Sequence, residues 1–302
     1  MQLKKILLFS FLLLAPFLNI QAQLPICIGM DLDITNGYRR DDLSCLIHVF
    51  DPPDTFQFAD DLHIKDISIY QVGLKGKWLF NNWQFHLEGD CGWANSGNYE
   101  EAGTATISRA HVHHGQVKDL IIGFGYLFPI CWNLRIGPVA GWSYNSQKIK
   151  IHHAETGDLP DPILNHLRYR NRWQGPWVGI NTKFHICPCN LGISGGYEYH
   201  WADWHATWRL HGPDVPGVAF SDKRHSNDAH GQVVYLDARW NFWYCWNVGF
   251  GLKYQTFRAV NGRERPFAGS FAAVGLSSTE VDKVKHATWR SWAATLDVGY
   301  TF

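Results

Sequence analysis

The sequence predicts an all-β chain, a ten-stranded antiparallel transmembrane β-barrel with short periplasmic turns and long extracellular loops. Three observations carry that expectation. Apolar and polar residues alternate with a period of two in stretches of about 10 residues, the length of a tilted membrane-spanning strand. The connections between these stretches alternate short and long. The composition is rich in aromatics and poor in charge, with 15 Trp, 12 Tyr and 18 Phe against 18% charged residues. A barrel needs an apolar belt and aromatic girdles outside and polar residues inside, so this balance suits it.

The N-terminus reads as an export signal. Lys4 and Lys5 precede an apolar run from Ile6 to Leu18, and Ala22 offers a small residue for cleavage before Gln23. Residues 1–22 are therefore expected to be a signal peptide, and 23–302 a single outer-membrane barrel domain. The apolar run, about 13 residues, is too short to span a bilayer as a helix.

Each strand is justified by its apolar face. The first carries Ile26, Ile28, Met30, Leu32 and Ile34, with Asp31, Asp33 and Thr35 opposite. The second carries Tyr70, Val72, Leu74, Trp78 and Phe80, with Gln71, Lys75 and Lys77 opposite. The third carries Trp83, Phe85, Leu87 and Trp93, against Gln84, His86, Glu88 and Asp90. The fourth runs from Leu120 through Ile122, Phe124 and Tyr126 to Phe128, and the fifth from Trp132 through Leu134, Ile136 and Ala140 to Trp142. The sixth carries Val178, Ile180 and Phe184, the seventh Leu191, Ile193, Tyr197, Tyr199 and Trp201. The eighth carries Val234, Leu236, Ala238, Trp240 and Phe242, the ninth Val248, Phe250, Leu252 and Tyr254. The tenth presents Trp292, Ala294, Leu296, Val298, Tyr300 and Phe302 on one face and small or polar residues on the other. Its aromatic end resembles the C-terminal signal of bacterial outer-membrane barrel proteins, which implies that location for this chain.

Short connections fall near Asn81–Asn82, Pro129–Cys131, Cys187–Asn190 and Trp243–Trp246. Long ones fall near residues 39–66, 94–116, 145–168, 205–229 and 260–285. Short periplasmic turns and long outer loops set the orientation and put both chain ends on the periplasmic side.

Five of the seven cysteines then lie at the periplasmic end: Cys27, Cys131, Cys187, Cys189 and Cys245. They are the candidates for disulfides or cross-links to other cysteine-containing envelope proteins, in a compartment that permits both. Only Pro188 separates Cys187 from Cys189, so these two are expected to pair elsewhere. The cysteines lack structural-zinc spacing, and neither metal nor cofactor is expected. A net charge of zero excludes the basic footprint of nucleic-acid binding. The expected partners are outer-membrane lipids, including lipopolysaccharide.

Several segments resemble the Protochlamydia outer membrane protein family. They are Gly175-Pro176-Trp177-Val178-Gly179, Cys187-Pro188-Cys189, Tyr197-Glu198-Tyr199-His200-Trp201-Ala202-Asp203 and His230-Gly231. The turns Ile130-Cys131-Trp132-Asn133 and Tyr244-Cys245-Trp246-Asn247 are similar too. The resemblance implies an abundant, cysteine-containing barrel of a chlamydia-like envelope, with porin activity as a further expectation. It supplies no catalytic residues.

The lumen holds the candidate chemistry. Glu88 and Asp90 point inward together, as do Glu198 and His200, and Asp203 and His205 follow. The architecture resembles the ten-stranded omptin proteases, which set a carboxylate pair against an Asp-x-His pair to activate water. Asp203-Trp204-His205 matches the second element, and Glu88-Gly89-Asp90 offers the first with Glu in place of one Asp. Strict alternation from Tyr199 and Trp201 puts Asp203 and His205 outside unless a bulge turns them. The competing expectation is an ion-pair ladder of Lys75, Lys77, Arg135, Lys183, Arg239 and Lys253 with Asp31, Asp33, Glu88, Asp90, Glu198, Asp237 and Asp297. A structural, porin-like envelope component without enzymatic activity is thus expected. The alternatives are an omptin-like outer-membrane protease, or an adhesin acting through its loops.

Overall fold

Alternation turns into strand nearly everywhere in the computed structural model. It describes residues 28–51, 55–102, 107–156, 159–160, 167–186, 190–211, 219–243, 245–265 and 283–302. The proposed signal peptide and the residues Cys27, Cys187 and Cys189 lie outside these. The strands are β1 (Ile28–Asp51), β2 (Thr55–Phe80), β3 (Trp83–Ala102), β4 (Ile107–Tyr126), β5 (Phe128–Cys131) and β6 (Leu134–Thr156). Then come β7 (Leu159–Pro160), β8 (Arg168–Ile186), β9 (Leu191–His211), β10 (Ala219–Trp243), β11 (Trp246–Arg265) and β12 (Lys283–Thr301). The described residues thus form twelve strands where the sequence predicts ten. Two are short: β5 continues the line of β4 beyond a break at Leu127, and β7 is a two-residue pairing on β6. The other ten, 19–26 residues long, are the staves of the wall.

All neighbours are antiparallel, and the sheet closes on itself through β4–β6 and through β1–β12. At the seam Leu32 faces Tyr300 and Ile34 faces Val298, as the terminal strand's alternation requires. The last residues are stitched in: Thr301 N–H donates to Cys245 O (2.7 Å) and Phe302 N–H to Met30 O (2.8 Å). Phe80 and Trp83 close a two-residue turn at Asn81–Asn82, with Asn81 at φ 55°, a left-handed value that asparagine tolerates. No helix is long and apolar enough to cross a membrane among the described residues, and the crossing is made by strands.

The outer surface carries the expected belt. Ile34, Leu74, Leu120, Ile122, Val178, Ile180, Val234, Leu236, Phe250, Leu252, Leu296 and Val298 are all exposed. Aromatics bound it on both sides. Tyr38, Tyr70, Trp93, Trp142, Trp201 and Trp292 mark the outer edge, and Phe80, Trp83, Phe128, Trp240, Phe242 and Trp246 the periplasmic edge.

The long connections are where structure departs most from expectation. Most residues of 39–66, 94–116, 145–168, 205–229 and 260–285 that are described are strand, carrying the wall well beyond the belt. The inside–outside parity continues unbroken in β1, but the chemistry of the two faces exchanges. Inward residues Asp33, Thr35, Arg39 and Asp41 are followed inward by Leu43, Cys45 and Ile47. Outward Ile34 and Tyr38 give way to the exposed Arg40. β12 makes the same exchange of chemistry, passing from Asp297, Thr295 and Ser291 to Trp289 and Ala287 inside, then to Val284 across a register shift, and from Trp292 to Arg290 outside. Outside lipid, the wall's exterior meets water and must be polar, so the apolar side chains gather in the interior.

Candidate functional site: the lumen

Below the level of the outer girdle the lumen is polar and cross-braced. Lys253 on β11 pairs with Glu88 on β3 at 2.9 Å, spanning the barrel. Lys75 on β2 reaches Asp297 on β12 (3.3 Å) and Asp237 on β10 (3.6 Å), and Lys77 reaches Asp237 (3.7 Å). Arg239 on β10 bridges Asp31 (2.7 Å) and Asp33 on β1. Thr35 donates to Asp90 (3.2 Å), and Asn181 on β8 to Gln84 on β3 (3.1 Å). The ion-pair ladder read from the sequence is therefore built for Lys75, Lys77, Arg239 and Lys253 with Asp31, Asp33, Glu88, Asp237 and Asp297. The opposed signs meet because inward residues two apart on each strand project into one narrow lumen. Among these groups lies a cavity of about 70 Å³, lined by Lys75, Glu88, Asp90, Lys183, Glu198 and Lys253. It is polar and large enough for a few waters.

A second layer, missed from sequence, separates this chamber from the apolar half. Arg39 is almost fully buried and pairs with Asp41 (2.7 Å) and with Asp119 on β4. Gln147 on β6 donates to Asp41, Asn171 on β8 to Gln147 (3.3 Å), and the Trp204 indole N–H to Asn171 (2.7 Å). The Arg39 guanidinium lies 5.0 Å from the centre of the Trp289 ring. Counting inward parity onward from Asp31, Asp33 and Thr35 reaches Arg39 and Asp41, but the expected loop at 39–66 ended the count too early.

Above that layer the lumen is filled. Trp173, Trp204, Phe257 and Trp289 pack ring to ring at 5.2–5.9 Å, and Trp208 touches Tyr169 (4.5 Å) and, across the barrel, Tyr99 (6.4 Å). All ten staves contribute to one buried apolar cluster here, through residues such as Leu43, Ile64, Ile67, Ala94, Val112, Ile149, Val233, Ala259 and Ala287.

The structure separates the residues of the protease alternative. Glu88 and Asp90 face the chamber. Asp203 and His205 stand on the outside of the wall, because β9 stays in unbroken register with β8 and burial alternates through Ala202, Trp204 and Ala206. No bulge in this pairing turns them inward, and the four do not share a site. His205 stacks on His225 with centroids 4.2 Å apart, and partial burial and that neighbour hold its pKa below the usual imidazole value.

The inward pair is Glu198 and His200. His200 Nε2 donates to Glu198 (3.0 Å), leaving Nδ1 to accept from Ser143 Oγ (2.9 Å). The order acid–imidazole–hydroxyl is that of a nucleophile relay. Here, however, the ring is clamped between Trp177 (5.8 Å) and Phe257 (5.3 Å), and Ser143 is only 2% exposed. The cavity is lined by Glu198 but by neither His200 nor Ser143. A hydroxyl with no open space before it has nowhere to seat a substrate, so the relay braces β6 against β9. A Cβ at Gly123 would collide with His86 and Trp177, so glycine is needed for that packing. Among the described residues, no three His, Cys, Asp or Glu side chains converge as a metal site.

A sequence model of the family described as Protochlamydia outer membrane protein matches residues 33–302. No curated protein matches the chain. Among solved structures the outer membrane protease OmpT from Escherichia coli is similar, with TM-score 0.69 and 12% identity, over 93% of this chain and 99% of that one. Weaker likenesses are the outer membrane protein OprG from Pseudomonas aeruginosa (TM-score 0.33, 11% identity, 93% and 99% covered) and a FadL homologue from the same organism (0.32, 8%, 90% and 90%). At 12% identity the likeness to OmpT shows a shared barrel fold and carries no activity across.

Proposed function

This chain belongs to the Protochlamydia outer membrane protein family, and on that premise we propose that it is a sealed structural barrel rather than an open pore. It is an integral β-barrel protein of the bacterial outer membrane. The observation that carries the proposal is the aromatic and aliphatic packing that fills the outer half of the lumen from every stave. An ion crossing it would be stripped of water between largely apolar walls, and among the described residues there the buried charge is that of Arg224, which lies against the Trp208 ring and repels cations. The ten-stave ring is also narrow compared with open channels, for which about sixteen strands are typical. The porin-like expectation therefore finds no support in the lumen. The reading is also non-enzymatic, since Asp203 and His205 face away from Glu88 and Asp90.

Planar-bilayer recording of the purified chain tests this. Steady conductance is expected to be absent at low and at molar salt. Discrete steps whose size grows with salt concentration would overturn the sealed reading.

A structural role is served by covalent linkage at the periplasmic rim. Cys131 is exposed at the end of β5, beside Trp132 (81% exposed), with its thiol on Asn133 Oδ1 at 3.0 Å. Native envelopes run without reductant are expected to show this chain in high-mass bands that collapse with reductant. A Cys131→Ser chain that keeps those bands would move the linkage to another cysteine.

A further inference from the structure

Beyond the outer girdle the wall's exterior is unevenly charged, although the chain as a whole carries no net charge. One register row across six staves reads Lys118, Ser146, Arg172, His205, His225, Arg263. The row two residues further out places Lys148, Arg170, Thr207 and Lys223 side by side. Apart from the buried Ser146, these side chains are exposed or half-buried on the outer face. Among the described residues, Arg170, Arg172, Lys223 and Arg263 have no carboxylate within ion-pair distance. Among the described side chains, the acids nearby are Asp203, one step closer to the belt along β9, and Asp228, which accepts from Asn261 at 3.3 Å. The opposite side, on β1–β3, is balanced by contrast. There Arg40 pairs with Asp66 and His63 with Asp61, and Asp42 and Glu100 accompany Lys65.

The cationic face is also concave. Pairing of β9 with β10 skips at the bulge between Ser226 and Ala229, and a groove of about 750 Å³ opens there. Arg170, Arg172, Lys223, His225 and Arg263 line it, together with Asp228. His205 lies four residues beyond the exposed Trp201 of the belt. At the rise of a strand that is about 13 Å along β9, and less along the membrane normal once the strand tilt is counted. The groove therefore sits at the height of the outer-leaflet headgroups. The exposed belt residues Val178, Ile180, Trp201, Val234 and Leu236 lie below it on the same staves.

We propose that this face is a lipopolysaccharide-binding site. Phosphates of the lipid A and inner-core region sit on Arg170, Arg172, Lys223 and Arg263, and the acyl chains lie on the apolar belt beneath. Charge complementarity and continuity with the lipid-facing surface select this occupant: a soluble anion would use the cations but not the belt. Arginine suits the task because its planar fork holds phosphate through two parallel bonds. The inference rests on the outer-membrane setting, not on whether the lumen conducts, so the two can fail separately.

The test uses the full chain in detergent micelles and rough lipopolysaccharide bearing its phosphates, with binding followed calorimetrically. The Arg172→Ala, Lys223→Ala double variant is expected to bind about 10- to 100-fold more weakly, as loss of two charge-assisted contacts implies. An Arg40→Ala, Lys65→Ala variant on the opposite face is expected to match wild type. Phosphatase-treated lipopolysaccharide is expected to bind the wild type as weakly as the intact lipid binds the double variant. Inorganic phosphate in excess is expected not to displace the lipid. Heat-dependent gel mobility verifies that both variants remain folded barrels. Equal binding by the double variant, or equal binding of the dephosphorylated lipid, would overturn the site. Displacement by inorganic phosphate would overturn the glycolipid assignment.

Discussion

Replacing Arg39 by methionine is expected to lower the unfolding free energy of the barrel by about 3–5 kcal/mol, the cost of leaving buried partners of a lost charge unpaired. Arg39 is 2% exposed and holds both Asp41 and Asp119, while Gln147 bonds Asp41 from the other side. Methionine keeps much of the side-chain volume and the contact with Trp289 but removes the charge. Two carboxylates then share a site with no cation between β1 and β4. Urea unfolding of the barrel in lipid vesicles, followed by tryptophan fluorescence, measures the loss. Adding Asp41→Asn and Asp119→Asn to Arg39→Met is expected to recover most of it, because the three changes remove the charges together. A triple variant no more stable than Arg39→Met would show that packing, not charge, is what Arg39 supplies.

The second large effect is expected at Trp204. Its ring is fully buried, packs at a tilt against Trp173 at 5.9 Å and bonds Asn171 through the indole N–H. Trp204→Ala removes a large side chain from a filled lumen, at about 3–5 kcal/mol. It also removes the donor that ties the apolar plug to the polar layer. Water is then expected to connect the luminal chamber to the outer half. The Trp173→Ala, Trp204→Ala double variant should show conductance steps in planar bilayers where wild type is silent. Trp204→Phe, which refills most of the space, should remain silent. If the double variant loses stability but stays silent, the ion-pair chamber is itself a seal and the plug serves stability alone.

Much of the fold was legible because the chemistry of lipid is one-sided. Residues such as Leu74, Ile122, Val178 and Leu296 have to be apolar, and their neighbours in sequence then face the lumen. That alternation placed all ten staves, the seam of β12 on β1, and the ladder of Lys75, Lys77, Arg239 and Lys253 with its carboxylates. It also pointed Asp203 and His205 outward, where they lie. The outer halves were not legible as strand, because their outer face is no longer apolar. Past Tyr38, Trp93 and Trp201 the outer residues turn polar and the pattern looks like loop. The inner residues Leu43, Ile47 and Trp204 continue the same parity and were the overlooked signal.

By itself, then, the sequence determined the class of solvent on each side of the wall, the order of the staves and the membrane in which they stand. Those follow from a local period of two, which needs no knowledge of neighbours. Which of the inward side chains meet in the enclosed space follows instead from the closed ring. Arg39 with Asp119, Lys253 with Glu88, and Trp208 with Tyr99 meet across a closed ring, from residues 80, 165 and 109 positions apart. Closure curls strands remote in sequence around one narrow axis. The side chains that meet there are chosen by the ring's stagger and width, which no single strand encodes.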